Sequence, residues 1–526
     1  MQGLHADSSR VALISGAAVV RLVLAGLFAL LLVSAAAPAA AQPGLFVGAT
    51  DDDFLSRPAA TVADARALGF GGFRVALSWT PGQTQMSRAD ISDFDDMTAA
   101  ASVLRIVVTV YGKAAAAPLD SAARDAYCAY VGDVLTRFPT INDVVIWNEP
   151  NLGFFWQPQF NADGSSTAPA AYEALLARCW DVLHGLRAGV NVIMTTSPSG
   201  NDNPKAASNV SHSPGSFIRK LGAVYRASGR TKPIFDTVGH NPYGMDSAES
   251  PWQQHLTPGH VAEGDLDRLV QALNDGFGGT AQPVPGKCAV GQSCVSIWYL
   301  EAGYQTVPDA AHQQLYTGQE NDAHAIPAAP AAAIDGPTQA TQLADGIELA
   351  YCQPYVAAFF NFLLRDEPSL QRWQSGMLWA DGSRKPSFAA LQQIISDIKS
   401  GRVDCAKLQA AHSTPIAPAA DALVERIEWS PLTAFSVFNE IWGFSISTRA
   451  DATFRALLVR VGRHTTSTGR QVALTMAGTL TNARPRVVRF GFARLKPGRY
   501  RIEVVVTRRR HPLLSVTRAS PAFIVE

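Results

Sequence analysis

Between Gly44 and Lys399, short runs rich in Val, Ile and aromatic residues alternate with longer stretches whose apolar residues recur at helical spacing, as in Leu175, Cys179, Val182 and Leu186. The short runs are too brief for helices and too branched for loops, and each is followed by a helical pattern, which argues for strands joined by helical crossovers in a parallel sheet. Strands are expected at Leu45–Ala49, Phe73–Trp79, Arg105–Tyr111, Val144–Asn148, Val192–Ser197, Thr237–Asn241, Val295–Glu301 and Ala357–Leu364. Helices are expected at Ala60–Leu68, Ser121–Phe138, Ala168–Leu186, Ser216–Ser228, Asp265–Asp275, Thr341–Tyr355 and Ser387–Ser400. That strand count closes a parallel barrel, so the fold class is α/β, a (β/α)8 TIM barrel.

Three connections, Pro198–Pro214, Tyr243–Gly264 and Gly303–Gln339, are too long and polar for simple turns. Each follows a strand and so belongs on the barrel's C-terminal face, where loops build sites. Ala325–Thr338 reads equally well as a structureless insertion. A Pro/Ala stretch, Thr414–Ala420, reads as a linker. Beyond it, alternating segments at Phe454–Val461, Val472–Met476, Val487–Phe492 and Tyr500–Val506 suggest a smaller all-β sandwich over 421–526. The whole chain carries 44 basic and 44 acidic residues, which gives no reason to expect nucleic acid or an anionic membrane as partner. From Asp421 onward there are 17 Lys/Arg against 7 Asp/Glu, so an acidic larger part precedes a basic smaller one.

Arg10 and Arg21, an apolar run Leu22–Ala37 and the small residues Ala39–Ala41 have the order of a secretory signal peptide cleaved after Ala41. The run is shorter than the roughly 20 residues of a membrane span. The expectation is therefore residues 1–41 as signal peptide, 42–413 as barrel, 414–420 as linker, and a secreted or cell-surface monomer with no membrane contact after cleavage. Export favours disulfides. Cys288 with Cys294 brackets a short loop, whereas Cys128 with Cys179 and Cys352 with Cys405 are two pairings among several that six cysteines permit. No C-x2-C or H-x3-H spacing supports a metal site.

Two strand ends carry the chemistry. Val144–Ile146 leads into Trp147-Asn148-Glu149-Pro150, which delivers a carboxylate to the end of strand four with an asparagine beside it. In Val295–Gly303, period two places Val295, Ile297, Tyr299 and Glu301 on one face, so that a phenol and a second carboxylate stand together. A pair of carboxyl groups is what glycosidic cleavage needs: one protonated to donate to the leaving oxygen, the other ionised to attack the anomeric carbon. Mutual repulsion raises the pKa of one of them and prepares the acid.

On these residues the chain from about Gly44 to Lys399 resembles the (β/α)8 retaining glycosidases of glycoside hydrolase clan A, above all the cellulase-like family 5 and family 39 enzymes. The resemblance implies Glu149 as acid/base, Glu301 as nucleophile and Asn148 as a substrate-binding neighbour. It also implies Arg74 as the arginine that steadies the nucleophile. In His240-Asn241-Pro242-Tyr243 it implies a cleft-lining His240 and a Tyr243 bonded to the nucleophile. Trp379 is a candidate sugar platform, with Trp79 and Trp156 as weaker ones. The sequence departs from family 5 at the end of strand three, where Val110-Tyr111-Gly112-Lys113 has no histidine, so the resemblance holds at the level of the clan. It implies an oligosaccharide, polysaccharide or glycoside substrate, either β-linked or an equivalent α-L-pentoside, and no cofactor. The rival reading is a non-catalytic carbohydrate-binding or cell-surface protein on the same barrel.

Overall fold

A computed structural model describes residues 44–255, 259–286, 295–318 and 333–412. Beyond these it describes 426–429, 441–448, 451–460, 472–481, 484, 486–491, 495–509, 511–520 and 523–525. The expected signal peptide, the linker and the Cys288–Cys294 pair lie outside the described residues.

Eight parallel strands close into a barrel in chain order: β1 Phe46–Thr50, β2 Gly72–Ser78, β3 Arg105–Tyr111, β4 Asp143–Ile146, β5 Asn191–Met194, β6 Thr237–His240, β7 Ser296–Ala302 and β8 Val356–Phe362. Around them stand α1 Pro58–Leu68, α2 Arg88–Ala100, α3 Ser121–Arg137, α4 Ala168–Leu186, α5 Pro214–Ser228, α6 Leu266–Phe277, α7 Gly336–Cys352 and α8 Pro386–Lys399. A one-turn helix, Asp53–Ser56, follows β1, and a short helix, Cys405–Ala411, follows α8.

Each strand sends alternate residues to opposite faces. On β2, Phe73, Val75 and Leu77 pack outward into the large core beneath the helices. Inside the barrel, Val107, Val145, Ile193, Leu300, Ala358 and Phe360 fill the floor, so the barrel is a packed solid with its opening at one end. The interior is tight enough to dictate a glycine. A Cβ on Gly239 of β6 would stand 2.4 Å from Leu300 Cδ1 and 2.6 Å from the Met194 carbonyl.

Helix α2 was not expected. Its first turn carries a reciprocal cap between Ser87 and Asp90, but only Phe94 and Met97 are buried along its length, so its apolar period is faint. Helix α7 starts at Gly336, earlier than the sequence pattern gave, because the Asp335 side chain accepts from the Thr338 amide and Pro337 sits in the first turn. The end of the expected insertion therefore belongs to this helix. Disulfides Cys128–Cys179 and Cys352–Cys405 tie α3 to α4 and the end of α7 to the segment after α8. Among the described residues no helix is long and apolar enough to cross a membrane.

Among the described residues from Arg426 onward, the regular elements are antiparallel strands. One sheet has the order β13 Arg486–Gly491, β10 Ile441–Ser447 and β9 Arg426–Trp429. The other has the order β12 Val472–Leu480, β11 Ala452–Arg460, β14 Gly498–Arg508 and β15 His511–Ala519, with β16 Phe523–Val525 also on β14. Phe444, Ile446 and Val488 of the first sheet meet Phe454, Ile502 and Val504 of the second in a separate core. This is the small all-β unit expected after the barrel.

Candidate active site

The C-terminal mouth of the barrel opens into a cleft of about 880 Å³. Arg74, Asn148, Glu149, Tyr243 and Glu301 all line it. Inward parity on β2 delivers Arg74, whose guanidinium meets three partners. Nε donates to Thr109 Oγ1 at 2.6 Å, Nη2 to Asn148 Oδ1 at 3.0 Å, and Nη1 to Glu301 Oε1 at 2.6 Å. Tyr243 donates its hydroxyl to the other oxygen, Glu301 Oε2, at 3.2 Å. Burial, with the nearby glutamate charges, holds the Tyr243 phenol well above its ordinary pKa, so it stays a donor.

Glu149 reaches the cleft through a backbone that few residues adopt. Trp147 has φ +67° and Glu149 φ +38°, two left-handed side-chain-bearing residues within one short segment. Tertiary contacts impose the first of these. The Trp147 amide donates to the Val110 carbonyl at 3.0 Å, and its indole Nε1 donates to the Phe155 carbonyl at 2.6 Å. The ring is fully buried between Trp79 and Trp156. With Trp147 turned out into the core, Asn148 and Glu149 both enter the cleft. Strain held in place by packing in this way is characteristic of working sites.

The two glutamates have opposite surroundings. Glu301 is gripped by a guanidinium. Glu149 is buried and accepts a hydrogen bond from Asn241 Nδ2 at 2.7 Å. Burial first, and then the charge of Glu301, push its carboxyl up to about 8, so it is protonated at neutral pH.

A bulge explains how Glu301 arrives. Tyr299 pairs with Phe359 and Ala302 with Asn361, so β7 carries one extra residue against β8. Strict alternation would have put Tyr299 and Glu301 on one face. The bulge separates them: Tyr299 points outward and donates to Gln353 Oε1 at 2.7 Å, at the end of α7 and away from the cleft. The expected phenol–carboxylate stack is therefore absent.

His240 also departs from expectation. It has outward parity on β6, is fully buried, and does not line the cleft. Its Nε2 lies 2.8 Å from the Val261 carbonyl, which can only accept, so Nδ1 accepts from Thr196 Oγ1 at 2.9 Å. Burial drives its pKa down to about 4, which suits a neutral ring that ties the loop after β6 to the barrel. The next residue, Asn241, has inward parity and is the one that touches Glu149. The sequence carried that signal, because the same parity includes Gly239.

Trp379 is buried with its ring stacked on His312 at 4.6 Å, and Lys385 Nζ lies 4.7 Å from the ring centroid. It lies outside the cleft lining, as do Trp79 and Trp156. The tryptophan in the cleft is Trp373, from the loop after β8, half-buried against Tyr243 at 5.3 Å and Phe362 at 5.0 Å. Its place in the polar run Gln371-Arg372-Trp373-Gln374 was a readable sign, since an aromatic ring in a polar loop has no core of its own to fill. At the end of β3, where no histidine stands, Tyr111 lines the cleft. Among the described residues no group of three or more His, Cys, Asp or Glu is arranged to hold a metal ion.

No protein-family model and no curated protein matches the chain. Among solved structures it is similar to a family 39 glycoside hydrolase from the gut symbiont Bacteroides cellulosilyticus WH2, with 13% identity, 84% of this chain and 79% of that one covered, and a TM-score of 0.45. It is similar to the Ignisphaera aggregans GH53 catalytic domain, with 12% identity, coverages of 67% and 97%, and a TM-score of 0.44. It is also similar to a β-glucosidase from Exiguobacterium marinum, with 11% identity, coverages of 69% and 100%, and a TM-score of 0.43. The chain spans about half the length of the Bacteroides uniformis β-glucuronidase structures it also matches, 45% and 46%.

Proposed function

We propose that this protein is an exported retaining glycoside hydrolase in which Glu149 is the acid/base and Glu301 the nucleophile. One observation carries the reading. In a single cleft, one carboxyl is buried and keeps its proton to about pH 8, while a second is held by Arg74 and Tyr243. A binding protein has no use for a buried, protonated carboxyl beside a second carboxyl held by a guanidinium and a phenol.

The reaction follows from the two environments. Glu301 attacks the anomeric carbon as the glycosidic C–O bond breaks, and Glu149 gives its proton to the departing oxygen, which leaves as an alcohol. A glycosyl ester on Glu301 remains. Esterification removes the Glu301 charge that helped to raise the Glu149 pKa, so Glu149 becomes a better-stabilised carboxylate just when a base is needed. It takes a proton from water, the hydroxyl attacks the anomeric carbon from the vacated side, and the sugar leaves with its configuration retained. Trp373 offers a face for the sugar ring, and Asn148, fixed by Arg74, offers its amide N–H groups to a hydroxyl. Export is consistent with the two disulfides.

Incubation with 2-fluoro glycosyl donors, followed by peptide mass spectrometry, tests the assignment. The expected result is a covalent sugar on Glu301 in the wild type and none in Glu301→Ala. A label on another residue, or full hydrolytic activity in Glu301→Ala, would overturn the mechanism.

A further inference from the structure

The residues lining the cleft are sorted by charge around the barrel mouth. From β7 through β8 and β1 to β2, the strand ends and their loops supply Asp52, Asp53, Arg57, Arg365, Glu367 and Arg372, besides Arg74 and Glu301. From β3 to β6 they supply Tyr111, Leu152, Phe155, Pro198, Met245 and His260. The one carboxyl on this second arc is Glu149, which is protonated up to about pH 8. Burial and the neighbouring His255 lower the pKa of His260, so it too is neutral. Of the residues that line the cleft, those on the first arc thus include charged side chains and those on the second carry none at neutral pH.

The position of the acid gives the uncharged half a partner. A general acid must lie within hydrogen-bond reach of the oxygen it protonates, so the departing group sits beside Glu149. That is the uncharged arc. Its apolar members are Tyr111 and Phe155, which meet edge to face with centroids 6.1 Å apart, the buried Leu152, and Met245, which is left 61% exposed. Asn148 and Tyr243 also come from these strand ends but turn to Arg74 and Glu301 across the mouth. A sugar on this arc would thus have only Ser199, His260 and the Tyr111 hydroxyl as side-chain partners for several hydroxyls, and unpaired polar groups are costly to cover. An alkyl or aryl group would gain from every apolar ångström it covers. On the other side, the anomeric carbon lies against Glu301, with Arg74 beneath and Asp52, Arg365 and Arg372 around it, which suits a hydroxyl-rich ring.

Building on the glycosidase reading, we infer that the cleft sorts the two halves of its substrate: a sugar over the charged arc and an apolar aglycone over the Tyr111–Phe155–Met245 arc. The substrate class is a glycoside of an apolar alcohol or phenol, not a sugar chain continuing on both sides of the cut.

The test compares hydrolysis of methyl and n-octyl members of four pairs: β-D-glucoside, β-D-galactoside, β-D-xyloside and α-L-arabinoside. The two leaving alcohols have similar acidity, so the octyl-to-methyl ratio of kcat/KM reads contact with the aglycone and not leaving-group chemistry. For each sugar that is cleaved, the expected ratio is at least about tenfold, from the transfer free energy of the added methylenes. In Phe155→Ser the same ratio falls several-fold. General damage to the fold would lower both rates and leave the ratio unchanged. A ratio near one in the wild type, or a ratio unchanged in Phe155→Ser, overturns the sorting but leaves the glycosidase reading intact. Turnover of no pair, together with no covalent label from the 2-fluoro donors, overturns the glycosidase reading itself.

Discussion

Asn241→Leu separates the electrostatics of the acid from its chemistry. The Asn241 amide N–H donates to Glu149 Oε1 at 2.7 Å inside the protein. A donor of this kind favours the ionised carboxylate, so it works against burial and the Glu301 charge, which both raise the pKa. Leucine has the heavy-atom count and branching of asparagine but bulkier ends, donates nothing, and leaves no room for a replacement water. A hydrogen bond to a charged group contributes about 1.5–3 kcal/mol. At ~1.4 kcal/mol per pKa unit, its loss should raise the Glu149 pKa by roughly one to two units.

The sign is fixed by the role proposed for Glu149. For kcat/KM, which covers steps up to the first irreversible one, Glu149 must be protonated. The wild-type profile should therefore fall on its alkaline side near pH 8. In Asn241→Leu this limb should move up by one to two pH units, while the plateau drops because a weaker acid donates less readily. The assay is kcat/KM against pH on a chromogenic glycoside, from about pH 4 to 11. A limb that stays in place or moves to lower pH would refute the argument, because it would mean that another group sets the limb or that Asn241 does not favour the carboxylate.

Glu149→Gln should be inactive yet more stable than wild type above pH 8. The folded pKa lies above the unfolded value of 4.5, so ionisation opposes folding as pH rises through that interval, and the gain in Tm should be larger at pH 9 than at pH 5. Equal gains at both pH values would contradict the burial argument. Tyr299→Phe should leave kcat/KM unchanged and cost about 1 kcal/mol in urea unfolding, since its hydroxyl meets Gln353 outside the cleft. A large loss of activity would put the phenol back beside Glu301. Trp373→Ala should lower kcat/KM with little change in Tm, whereas Trp379→Ala should lower Tm by several degrees, because only Trp379 is fully packed. Removing the Cys128–Cys179 bridge as a double serine variant should cost about 4 kcal/mol, as expected for a 51-residue separation, measured by chemical denaturation.

The barrel was readable because its strands are buried on both faces. Runs such as Ile106–Tyr111 and Val144–Ile146 are continuously apolar, aromatic or β-branched, and a run of that kind does not depend on register. Glu149 and Glu301 were readable for a related reason, since each stands at or just past the end of such a run. What escaped was direction. One inserted residue in β7 sends Tyr299 outward and Glu301 inward, although alternation gives them a common face. The turned-out Trp147 likewise brings two consecutive residues into the cleft, where a strand would admit one. Neither device has a composition of its own. Each is fixed by contacts from outside the strand itself, including the Val110 and Phe155 carbonyls around Trp147 and the Leu300 carbonyl that accepts from Thr50 Oγ1 at 2.6 Å. The His240 and Asn241 exchange is of another type, because parity counted from Gly239 gives the right answer and the motif, followed by name, does not. Trp373 and Trp379 both follow β8, and the fold of that loop decides between them: it lays Trp373 against Tyr243, the partner of Glu301, and packs Trp379 against His312 outside the cleft. Residue parity and loop closure, more than residue type, decide which side chains share the cleft.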